Sequence, residues 1–168
     1  MNYSAARQQI KSGDLLAWSH RVPFWHSYRD FKIALIRLFT RSEFTHVGTA
    51  VHLGGRLMVL EAVKPVVRLH PVSQLGDFYW VPLPATWNAQ AERYAFEQLG
   101  DRYSVLDAIV GYFGMPKDDA REQCAELKIR VAAAAGVDLG DTATPTAVVS
   151  KALQMGQPLR FITMEKAP

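Results

Sequence analysis

Cys124 is the one cysteine of this 168-residue chain, so no disulfide can form within it and no oxidising compartment is implied. A Cys/His cluster with zinc spacing is also missing, which argues against a structural metal. No apolar run reaches the eighteen or so residues of a membrane span, and the stretch Met1 to Gln9 is polar where a secretion signal would carry an apolar core. A net charge of +3 is too small to mark a nucleic-acid binder, which concentrates many basic residues on one face. There is no internal repeat, low-complexity tract or dividing linker. These absences lead us to expect one domain over residues 1–168, soluble and cytoplasmic as synthesised, with no cofactor and no nucleic-acid partner. A chain of this length buries roughly two thirds of its unfolded surface, so it needs no staple.

What is present centres on residues 45–62. Thr45-His46-Val47-Gly48-Thr49-Ala50-Val51-His52-Leu53, then Gly54-Gly55, then Arg56 to Ala62 reads as a β-hairpin. Strand alternation sends Val47, Thr49, Val51 and Leu53 one way and His46, Gly48, Ala50 and His52 the other. The glycine pair supplies the positive φ of a two-residue turn, which sets Leu53 opposite Arg56 and brings Glu61 within one diagonal step of His46. An imidazole and a carboxylate can meet there.

Around this hairpin, Ser4 is expected to cap a short helix through Lys11, and Asp14 to Trp18 reads as a buried strand. Residues 19–27 form an aromatic loop with His20, Pro23, Phe24, Trp25 and His26. Phe31, Ala34, Leu35, Leu38 and Phe39 then give the apolar stripe of a helix. Val66 to His70 and Phe78 to Leu83 are further strands. Asn88 caps a helix over Ala89 to Leu99 that Gly100 ends, and Ser104 caps another through Tyr112. A further helix carries Cys124 and stops at Gly136, Thr144-Pro145 opens the last one, and Leu159 to Thr163 closes as a strand. Charge is concentrated between His20 and Glu43, where five basic residues face two acidic ones.

Chemistry in such a chain has to come from Cys124, His46 and Glu61. The cysteine shares a helical face with Leu127, Val131, Ala134 and Ala135, so it reads equally as a small core residue or as a thiol near a helix start, where free amides favour an anion. Of the histidines, His20 and His26 lie in the aromatic loop, His70 at a strand end, and His52 about 20 Å along the strand from His46 by strand rise. Glu61, inside the apolar run Met58 to Val63, wants a partner, and His46 is a suitable one.

Gly13-Asp14-Leu15-Leu16, Thr45-His46-Val47-Gly48, Glu61-Ala62 and then Gln123-Cys124-Ala125-Glu126-Leu127 follow an order that resembles circularly permuted NlpC-type papain-like cysteine hydrolases, the YiiX-like branch related to the lecithin:retinol acyltransferase group. Tyr103 after Gly100 and Thr144-Pro145 after the cysteine helix fit the same pattern, while Ala125 and Lys128 depart from it, standing where a small hydroxyl residue and an apolar residue are usual. The resemblance implies an α+β papain-like fold, an antiparallel sheet packed against helices that include the cysteine helix. It further implies Cys124 as nucleophile, His46 as base, Glu61 as orienter of the ring, and the Cys124 backbone N–H as an oxyanion donor. Asp14, Trp25 and Tyr103 are the substrate-binding candidates, Asp14 being open to a purely structural role.

Such groups perform acyl transfer through a thioester. The expected function is therefore hydrolysis of amide bonds in peptidoglycan-type peptides or lipid-linked amides. A lipid acyltransferase and a non-enzymatic binding module are the alternatives, and the groove rather than the triad separates the first two. A wall substrate would require delivery by a phage particle or a secretion system. The aromatic loop and basic helix are expected to wall the cleft and draw an anionic substrate or anionic membrane surface towards it.

Overall fold

The computed structural model describes residues 1–19, 44–63, 65–84, 87–101 and 119–164, with residues 119–123 described as backbone alone. Strands β1 (Leu15–Trp18), β2 (His46–Leu53), β3 (Arg56–Val63), β4 (Val66–Pro71), β5 (Phe78–Val81) and β6 (Arg160–Ile162) form a six-stranded sheet in the order β4-β3-β2-β1-β5-β6. Every neighbouring pair is antiparallel. Helices α1 (Tyr3–Ala6), α2 (Ala89–Glu97), α3 (Asp119–Ala134) and α4 (Pro145–Gln154) accompany it. The fold is thus α+β, with the cysteine helix α3 packed on β2 and β3.

Alternation divides the buried side chains into two clusters. Leu15, Ala17, Val47, Val51, Leu60 and Ala62 join Cys124, Leu127 and Val131 of α3 and Val148, Val149 and Ala152 of α4. Leu16, Trp18, Ala50, Leu57, Val59, Phe78 and Trp80 join Ala6, Ile10 and Val72. A strand with both faces covered cannot slip by one residue without exchanging its two sets of side chains, so the register is strongly specified.

The central turn forms as the glycine pair predicts. Gly54 and Gly55 have φ of +57° and +76°, and Leu53 pairs with Arg56, His52 with Leu57 and Thr49 with Leu60. Asn88 caps α2 by accepting from the Ala91 amide, and Thr144 caps α4 by accepting from that of Ala147. The first helix differs from expectation. Asn2, not Ser4, is its cap, accepting from the Ala5 amide, and the helix ends at Ala6 because the chain must turn to bury Ile10 and enter β1. The fourth and fifth strands are also shifted at their ends: β4 includes Pro71, which an edge strand tolerates, and β5 stops at Val81. The expected helices over 31–39 and 105–112 lie outside the described residues.

Gly48 of β2 lies hard against β3. A Cβ there would come within 2.4 Å of Val59 Cγ2 and 3.0 Å of the Leu60 carbonyl oxygen. Gly48→Ala should therefore destabilise the protein by about 1–3 kcal/mol, the usual range for overpacking, measured as a lowered urea midpoint. An unchanged midpoint would show that the two strands separate more easily than this contact implies.

Candidate functional site

His46 is the first residue of β2, where the sheet opens. Its cross-strand partner in β1 is Trp18, and the two rings lie 5.6 Å apart at 38°. Imidazole Nε2 is 2.8 Å from Glu61 Oε2, and the ring also hydrogen-bonds the Cys124 side chain. The three residues that sequence reasoning singled out for chemistry are therefore in mutual reach through one ring. The hairpin register brings the carboxylate to the imidazole, and the packing of α3 on β2 and β3 brings the sulfur.

Glu61 is 3% exposed, and a buried carboxylate needs more than one partner to compensate for lost water. The second is Arg68 of β4, the residue directly opposite Glu61 across the β3–β4 pair. Arg68 donates from Nε at 3.0 Å, and its Nη2 lies 2.9 Å away, both on Glu61 Oε1. Each carboxylate oxygen thus has its own cation. Burial raises the Glu61 pKa, yet the hydrogen bonds and charges of His46 and Arg68 outweigh it and hold the carboxyl below its ordinary value. Burial likewise pushes His46 down, but the hydrogen bonds and negative charges of Cys124 and Glu61 raise it to about 9. A protonated His46 ring beside the Glu61 carboxylate is the consequence at neutral pH.

Cys124 itself is 1% exposed and belongs to the main buried cluster, whereas the His46 side chain is 22% exposed, so the ring is the accessible edge of the group. In an α-helix running Asp119–Ala134 the N–H of Cys124 occupies the position that donates to the carbonyl four residues back. It is not among the free amides of the first turn, so neither an oxyanion donor at this N–H nor stabilisation of sulfur by helix-end amides follows from the geometry.

One turn along α3, Lys128 is also 1% exposed. Its Nζ donates to the carbonyl oxygens of Gly13 at 2.7 Å and Asp14 at 3.4 Å. The Asp14 carboxylate meanwhile accepts from the Lys11 amide at 2.9 Å, Trp80 Nε1 at 2.8 Å and the Leu83 amide at 3.0 Å. Asp14 is thereby placed as a structural brace for the entry to β1, about 13 Å from Trp18 by strand rise, with its oxygens turned inward. The departure at Lys128 has the same explanation: a polar side chain stands in an apolar position because it reaches backbone oxygens of the turn before β1. Burial lowers its pKa to about 7, against a smaller opposing pull from Asp14.

Trp25 and Tyr103 lie outside the described residues, as do His20, His26 and the basic helix. His52 is occupied elsewhere, its Nε2 lying 2.8 Å from the Ile10 carbonyl oxygen. Sequence reasoning missed Arg68 and Trp18. The signal for Arg68 was present, since Val63 and Val66 flank a two-residue connection and that pairing carries directly to Glu61 opposite Arg68.

No protein-family model matches the sequence, and no curated protein matches it. Among solved structures the fold is similar to the crystal structure of metalloprotein yiiX from Escherichia coli O157:H7, with a TM-score of 0.54 and 23% identity over 79% of this chain and 71% of that one. The likeness gives the chain a YiiX-like fold. Metal ligation is said of that protein; among the described residues here, no group of three or more His, Cys, Asp or Glu side chains is placed to hold an ion. Nor is any described helix long and apolar enough to cross a membrane.

Lys128 leads to a pH-dependent prediction. Its folded-state pKa of about 7 lies below the ordinary 10.5, so between these values the unfolded chain holds a proton that the folded one has lost. Stability from this group therefore rises as pH increases from about 7 to about 10.5, and is lost on the way back down. The stability difference between the parent and Lys128→Met, taken from urea unfolding across that range, should grow with pH, with a limiting slope of about 1.4 kcal/mol per pH unit. A difference independent of pH would mean that Lys128 stays charged in the fold.

Proposed function

We propose that the protein is a cysteine hydrolase of amide bonds, of the circularly permuted NlpC-type papain-like kind. The observation that carries this reading is the single imidazole of His46, hydrogen-bonded to Glu61 at 2.8 Å on one side and to the Cys124 side chain on the other. A thiol, a base and a group that orients the base are the minimum set for nucleophilic acyl transfer. The substrate classes this reading takes are peptidoglycan-type peptides and lipid-linked amides.

In the proposed cycle the thiol proton resides on His46, and Cys124 sulfur adds to the amide carbonyl carbon. Collapse of the tetrahedral adduct breaks the C–N bond while the imidazolium gives its proton to the departing nitrogen, leaving a thioester and a free amine. His46 then takes a proton from water, the hydroxide adds to the thioester, and the C–S bond breaks. The products are a carboxylic acid and the regenerated thiol. Glu61 holds the ring and stabilises its charge, and Trp18 lies against the same ring. An acceptor other than water would resolve the thioester by acyl transfer.

A second reading is favoured by one specific observation, the 1% exposure of Cys124, which suits a core residue in a non-enzymatic binding module. Labelling with a cysteine-reactive acyl probe, read by mass spectrometry, separates the two. Under the enzyme reading the native parent gains one acyl group at Cys124. Cys124→Ala gains none, loses all hydrolysis and stays within about 1–2 kcal/mol of parent stability. His46→Ala should slow labelling about a hundredfold or more, and Glu61→Gln less, since an amide holds the ring but stabilises its charge less well. A native protein that resists the probe, or a Cys124→Ala variant that still hydrolyses amides, would discard the enzyme reading.

A further inference from the structure

Glu61 lies between two cations, and this fixes what each contributes. Its Oε2 faces His46, while two nitrogens of Arg68 meet on Oε1 at 3.0 and 2.9 Å. Once a proton passes from Cys124 to His46, the imidazolium has an anion on each side. Three groups of signs minus, plus, minus leave one negative charge uncompensated in a buried place, and an unpaired buried charge is strongly unfavourable. Arg68 supplies the fourth sign. Its guanidinium cannot lose a proton at any relevant pH, and its fork occupies one carboxylate oxygen in a set direction, which leaves the other for the ring.

We propose that Arg68 is a positioning residue for the Cys124–His46–Glu61 centre, holding Glu61 ionised and turned so that Oε2 remains available to His46. The proposal rests on the cysteine hydrolase reading and deepens it. Among the described residues the charged groups that act on Glu61 are His46 from β2 and Arg68 from β4, with Cys124 of α3 acting through the ring. The Arg68 side chain is 44% exposed, and a cross-strand ion pair with that much solvent contact contributes little to stability on its own. A role confined to stability would move the Glu61 titration alone and leave the acid edge of Cys124 alkylation where it was.

The test follows two signals in the full chain, neither of which needs a substrate: the Glu61 carboxyl resonance and the rate of Cys124 alkylation by iodoacetamide, both against pH. Arg68→Gln should move the Glu61 titration upward and shift the acid edge of alkylation with it, slowing the reaction roughly tenfold at a fixed acidic pH for each unit of movement. Arg68→Lys keeps the charge without the fork and should restore most of the Glu61 titration. In a Glu61→Gln background, Arg68→Gln should leave the alkylation rate within about twofold of Glu61→Gln alone, as coupled residues do. If Arg68→Gln leaves either signal at its parent position, or if its effect multiplies with that of Glu61→Gln, the positioning role is overturned. The Glu61 signal can also be followed in Cys124→Ala, so a failure of the hydrolase reading is told apart from a failure of this one.

Discussion

The contact between His46 Nε2 and Glu61 Oε2, at 2.8 Å, is the interaction on which the rest depends. A carboxylate that is 3% exposed is tolerable only where partners replace the water it has lost, and each partner comes from a different strand. His46 enters from β2 because the Gly54-Gly55 turn fixes the hairpin register, and Arg68 enters from β4 because it stands opposite Glu61. A slip of one residue in either pair would leave a buried charge unpaired as well as turning apolar side chains outward. Polar and apolar constraints therefore select the same register.

The cysteine helix is tied to this sheet at two points one turn apart. Near Cys124 the link is the imidazole, and at Lys128 it is a buried amine on the Gly13 and Asp14 carbonyls. The two links respond to pH in opposite senses. His46, raised to about 9, contributes stability that is complete below its ordinary 6.5 and is lost as pH passes through 9, whereas burial of Lys128 becomes less unfavourable over a range that begins near 7. Asp14 braces the same turn from within through Trp80 and Leu83, which keeps the acceptors of Lys128 in place.

Much of this was legible in the sequence, for physical reasons that differ by element. The glycine pair at 54–55 encodes a turn type, and the turn encodes the register, so the meeting of His46 and Glu61 could be read without coordinates. Asn88 was legible as a cap because its side chain acts on an amide three residues away, and Thr144-Pro145 as a helix start because Pro fits a first turn. The Lys128 contact was not, since its oxygens lie more than a hundred residues away in the chain and no local pattern records them. Arg68 was not singled out, because its partner becomes evident only when the β3–β4 pairing is carried through from Val63 and Val66. The described part of the cysteine helix gives Cys124 a full turn of backbone before it.

The central claim is that one imidazole is held between Cys124 and Glu61 and is charged there. Following the His46 ring resonances against pH in the native protein tests this directly. The account predicts a midpoint near 9 that falls when either Cys124→Ala or Glu61→Gln removes one of the ring's two partners. A midpoint at or below the ordinary 6.5, unmoved by either substitution, would contradict it.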